Sequence, residues 1–284
     1  MLIFKGEIFM SKKKKKKLKL AKKSVKILQS GKIKISKDQK IDISDLTADS
    51  IENAVVSRLD GIISKEDVVI NASDMKVDAG INLLSLSDSM DHMAKLNSDK
   101  VNTIVITVPK KAALSCFDFS FSTELGEILR RSTLAPVYKH LKDEWVKLNE
   151  NDATNFTNVM YVPGLTVFLD EYGNFMPVKY KINVLILAIP HKKFMAENPV
   201  EEVGNGVVSR RVVADILDAS IKCGCKHLIV DPHCYPALRK DNDHTTALWK
   251  EALHTQRVIE QVRSLTFAIE HEELYYKFHF VIED

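Results

Sequence analysis

The chain has 284 residues, a formal net charge of +3, 45% hydrophobic residues and 28% charged residues. These proportions match a soluble globular chain and exclude wholesale disorder, collagen and coiled coil; the length suits one large domain or two small ones. The charge is uneven, because residues 1–23 carry ten lysines against one glutamate and hold +9, which leaves −6 on the other 261 residues.

In chain order, a mildly apolar start runs into the block KKKKKKLKLAKK. Lys12, Lys13, Lys14, Lys15, Lys16, Lys17 and Lys19 suit a solvated tail, a nuclear address or a salt-sensitive grip on nucleic acid. Residues 18–29 place Leu20, Val25 and Leu28 at helical spacing, and Gly31 stops that pattern. KIKI at 32–35 alternates as a short strand does. A helix is expected over 46–59, with Thr47 or Ser50 near its start, and a strand over 67–73. Residues 79–96 read as a helix carrying an unusual load of Ser and Asp.

VNTIVITVP at 101–109 is strongly strand-like and is ended by Pro109. A helix over 122–134 follows, with Thr123 near its start and Glu124 and Glu127 in its early turns. Residues 160–190 hold a strand, a turn at 170–173 and the apolar run 184–189. A run apolar at every position belongs in the middle of a sheet covered on both faces. A helix over 207–222, a buried strand over 228–230, a polar loop, a helix over 245–262 and a strand over 264–270 complete the alternation. Tyr275, Tyr276, Phe278 and Phe280 alternate as in a terminal strand, while Trp145 and Trp249 read as core residues.

Helices alternating with buried strands predict an α/β fold with a layered, mixed sheet, free of an interdomain linker or internal repeat. Ligands in such folds sit at the carboxyl ends of strands, so the loops after Val108, Ile189 and Val230 are the candidate sites.

Four cysteines are too few for a disulfide scaffold in a chain this long, which points to an intracellular setting, cytoplasmic or nuclear. No apolar run reaches the ~18 residues of a membrane span. Cys223-Gly-Cys225-Lys-His227 and His233-Cys234 flank opposite ends of one strand and lack the paired knuckles of a zinc site. No metal and no cofactor are expected.

The loop-bearing segments resemble the macrodomain of the microbial type of poly(ADP-ribose) glycohydrolase. The likeness rests on Tyr161-Val-Pro163, Val167-Phe168-Leu-Asp170, Gly173 and Val184-Leu-Ile-Leu-Ala188-Ile-Pro190. It continues through Arg210, Lys222-Cys-Gly224, Leu228-Ile-Val230 and Leu265-Thr-Phe267-Ala268-Ile269, with Val101-Asn102 to Pro109 upstream. The resemblance implies a three-layer α/β/α macrodomain over residues 24–284, preceded by a basic N-terminal extension over 1–23.

The motifs of that family are altered here. Where the family has consecutive glycines after the first loop's proline, this chain has Lys110-Lys111-Ala112. Where it has the glycine-rich second phosphate loop, this chain has Asp231-Pro-His-Cys-Tyr-Pro236. Glycine lets a backbone approach a diphosphate and offer bare N–H donors; prolines have none to offer. Arg131-Ser132 aligns with the family's Arg-Ser and puts Gly126-Glu127 where a glutamate pair would stand, after an insertion of about five residues.

The resemblance therefore implies a degenerate relative with a non-catalytic binding or assembly role. Two alternatives go with it. One is an active ADP-ribosyl glycohydrolase using Glu127 as acid; the other is a reader of ADP-ribose or another nucleotide, tethered to nucleic acid by the lysine tail. The implied ligand-binding residues are Asn102, Pro109, Lys110, Lys111, Asp231, His233 and Tyr235.

Overall fold

The computed structural model describes residues 32–34, 40–42, 46–62, 77–96, 100–114, 124–150, 155–191 and 204–282. The lysine block, the helix expected over 18–29 and the strand expected over 67–73 lie outside the described residues.

The apolar run at 184–189 sets the architecture. Within β7 (Phe175–Ile189), Leu185, Leu187 and Ile189 enter one buried cluster while Val184, Ile186 and Ala188 enter another. Successive side chains of a strand point to opposite faces, so a strand apolar at each position requires cover on both. The same division holds for β5 (Asn102–Pro109), with Val105 on one side and Ile104, Ile106 and Val108 on the other.

Among the described residues the main sheet has seven strands in the order β3-β6-β7-β5-β8-β9-β4. The remaining strands are β3 (Val55–Arg58), β4 (Asp78–Asn82), β6 (Asn158–Leu169), β8 (His227–Val230) and β9 (Ser264–Ala268). A separate antiparallel pair joins β1 (Lys32–Lys34) to β2 (Lys40–Asp42). Strands β7, β5, β8, β9 and β4 run parallel, and β6 and β3 continue the sheet antiparallel. The carboxyl ends of five strands thus open on one edge.

One face is covered by α5 (Asn205–Lys222), α6 (Asn242–Leu253), α7 (Gln256–Gln261) and α8 (Glu272–Ile282). The other is covered by α2 (Leu86–Leu96), α3 (Glu124–Arg131) and α4 (Leu134–Asn149). The result is the layered α/β arrangement that the alternation predicted. No helix among the described residues is long and apolar enough to cross a membrane.

Four elements differ from their expected form. The helix expected over 46–59 is only α1 (Ala48–Glu52), since Asn53 closes it with its side-chain amide on the Asp49 carbonyl. Val55 and Val56 then pair with β6, as β-branched residues favour.

The helix expected over 79–96 begins as strand β4, paired with β9, and turns helical only at Leu86. Ser85 Oγ accepts the Asp88 amide at 3.1 Å, so the Ser and Asp that weaken a helix interior act here as its cap. Residues 245–262 divide into α6 and α7 at His254-Thr255, and the first starts earlier because Asp241 caps it through the His244 amide.

The last segment is helix α8 rather than a strand. Phe278, fully buried, packs on Phe267 at a 5.0 Å ring separation, and Leu274 is buried one turn before it. Spacings of three and four satisfy that face as well as alternation does.

The hairpin of β6 and β7 turns where expected, with Asp170 Oδ1 accepting the amides of Tyr172 and Asn174. Within β6 the register shifts between Val162 and Leu165. Gly164 there has φ 66°, and its amide donates to Asn183 Oδ1 at 2.9 Å; a side chain would strain this left-handed position.

Candidate functional site

Three loops meet at the carboxyl edge. After β5, Pro109 leads into a single tight turn over Lys110–Ala112, closed by the Ala113 amide on the Lys110 carbonyl at 3.0 Å. Lys110 is 3% exposed, and its Nζ donates to the Phe156 carbonyl at 3.3 Å, just before β6. Lys111 is exposed. The first lysine therefore serves to anchor its own loop.

The loop after β8 is held from within. Asp231 Oδ1 accepts the His233 amide at 2.8 Å, and the Asp231 carbonyl accepts the Cys234 amide at 2.9 Å. Thr107 Oγ1 of β5 donates to the Cys234 carbonyl, and Arg239 Nε donates to the His233 carbonyl at 2.7 Å. The Tyr235 ring is buried under the loop, its hydroxyl donating to the Pro190 carbonyl after β7. Pro232 supplies its carbonyl to Trp249 Nε1.

This enclosure shifts the ionisation of three side chains. Burial pushes the Asp231 carboxyl above the usual carboxylate range, against the pull of the His233 amide. Burial also holds His233 down to about 4, helped by Arg239 and His271. Cys234 is pushed up to about 12 by burial and by the charge of Asp231, which keeps it a thiol rather than a nucleophile.

Beside this loop lies a cleft of about 740 Å³. Leu86 and Glu124, from the first turns of α2 and α3, form one wall. Asp231, His233 and Arg239 form a second, and Ala268 with Glu270 and His271 after β9 a third. Glu272 and Glu273 of α8 complete the rim. Glu124 Oε2 accepts the Ser87 amide at 2.9 Å, fixing its carboxyl at the cleft. Burial raises its pKa, and Glu270 and Asp88 add to the rise.

The candidate residues of the sequence fall in different places. Asp231 and His233 line the cleft. Glu127 does not; it is ion-paired with Arg130 one turn further along α3. Pro109, Lys110, Lys111 and Tyr235 are in the neighbouring loops but not on the cleft wall. Asn102 begins β5, at the edge opposite Pro109.

Glu270, His271, Glu272 and Glu273 were missed as site residues. The rule that picked the loops after β5, β7 and β8 applies equally to β9, and it would have found Glu270-His-Glu-Glu273.

No protein-family profile matches the chain, and no curated protein matches it. Solved structures do. Poly(ADP-ribose) glycohydrolase from Thermomonospora curvata superposes with a TM-score of 0.68 at 14% identity, covering 94% of this chain and 98% of that one. The same enzyme bound to the inhibitor ADP-HPD gives 0.67, again at 14% identity and with the same coverage. The Deinococcus radiodurans poly(ADP-ribose) glycohydrolase in complex with ADP-ribose gives 0.57 at 14% identity, over 74% of this chain and 86% of that one.

The fold is that of a poly(ADP-ribose) glycohydrolase macrodomain. The macrodomain likeness agrees with the strand framework on which the sequence resemblance rests. At 14% identity it carries the fold and leaves the chemistry to the residues of this chain.

Proposed function

We propose that this chain is a macrodomain-fold protein that has given up glycohydrolase chemistry for a binding or assembly role. One observation carries the reading: Asp231 already accepts two amides of the loop after β8, that of His233 on its carboxyl and that of Cys234 on its carbonyl. A pyrophosphate needs such amides unengaged and an approach free of negative charge. Here the acceptor is already built into the loop, as a carboxylate and a carbonyl. The tight turn at Lys110–Ala112, with Lys110 anchored to Phe156, supports the same reading for the first loop.

Calorimetry with ADP-ribose and a release assay on poly(ADP-ribose) test it. No binding heat and no release are expected. A ligand present at 100 times its Kd would add ~2.7 kcal/mol to stability, so a clear rise in Tm with ADP-ribose overturns the proposal.

A second reading is favoured by Glu124, a half-buried carboxyl in the cleft whose protonated form is favoured. In that reading the chain is a working hydrolase with Glu124, rather than Glu127, as proton donor to the leaving oxygen. Release of ADP-ribose that is abolished in Glu124→Gln and retained in Glu127→Gln establishes it. A nucleic-acid tether through Lys12–Lys19, with a nuclear setting, rests on sequence charge alone; binding unchanged on deleting residues 1–23 removes it.

A further inference from the structure

We draw no further inference here: the strongest candidate, the apolar groove of about 500 Å³ between α5, α6 and α7, is bridged by the Arg210–Glu251 and Arg257–Asp218 ion pairs, and nothing in the structure shows what covers it.

Discussion

Arg131 Nη2 lies 2.7 Å from each carboxylate oxygen of Asp91. The Nε of the same guanidinium donates to the Leu169 carbonyl at 3.0 Å, and the Tyr180 hydroxyl donates to Asp91. One ion pair therefore ties α2 and α3 to both strands of the long hairpin, and those two helices present Leu86 and Glu124 to the cleft.

The Arg131 side chain is 2% exposed, which makes the pair sensitive to the loss of either member. Asp91→Ala strands a buried guanidinium without its counter-charge, and a loss of about 3–5 kcal/mol is expected. Tyr180→Phe keeps the ion pair and removes one hydrogen bond, with an expected loss of roughly 1 kcal/mol. Urea unfolding midpoints of the two variants check the ranking; equal midpoints would contradict it.

Trp145 gives a second mechanical test. Its ring is fully buried, and Nε1 donates at 2.9 Å to the carbonyl of Ala113, immediately after the Lys110–Ala112 turn. Trp145→Ala opens a large void beneath that turn and is expected to cost about 3–5 kcal/mol. Trp145→Phe removes the pyrrole half of the indole together with the hydrogen bond, and an intermediate loss of roughly 1–3 kcal/mol is expected. Amide exchange at Ala113 is expected to rise in both variants, and protection equal to that of the native chain would show that the tryptophan does not hold the loop.

The sheet was legible wherever burial left a plain pattern. Residues 184–189 and 228–230 are apolar throughout because helices cover both faces of the sheet there. Edge strands β3 and β4 lack it. Each is covered incompletely, so its residues are only partly buried and read as helix. The alternating aromatics near the end misled for a different reason: Leu274 and Phe278 supply the buried contact, a helical spacing hidden under a period of two.

At the site, Asp231 and His233 were found because loop position and altered glycines both marked them. Glu124 was seen only as a neighbour of Glu127. What separates the two is the Ser87 amide and the Arg130 guanidinium, contacts across the fold and along the helix that spacing does not choose between.

Asp231 makes a pH prediction through burial. Its folded-state pKa lies above the ordinary 3.8, so the folded state takes up a proton that the unfolded state has already released. Stability contributed by this group therefore falls as pH rises from about the ordinary value through the raised one. Glu124 acts in the same sense from its ordinary 4.5. Asp231→Asn keeps an oxygen for the His233 amide and removes the charge. The variant is expected to be more stable than the native chain at neutral pH, with the difference shrinking on acidification. Unfolding by urea between about pH 4 and pH 7 measures it, and a variant less stable than the native chain at neutral pH would refute it.

His233 works in the opposite sense. Burial, with Arg239 and His271, lowers its pKa from 6.5 to about 4, so between those values the unfolded chain binds a proton that the folded chain refuses. Its contribution to stability is complete above 6.5 and is lost as pH falls towards 4. The native chain thus carries two opposed slopes in one loop, carboxyls that favour acid and an imidazole that favours neutrality. His233→Asn removes only the second. Acidifying from about pH 7 to pH 4.5 is expected to cost the native chain more stability than it costs this variant. NMR of the ring protons gives an independent check: His233 is expected to titrate near 4, and a midpoint near 6.5 would mean that the loop is open to water and that Asp231 does not close it.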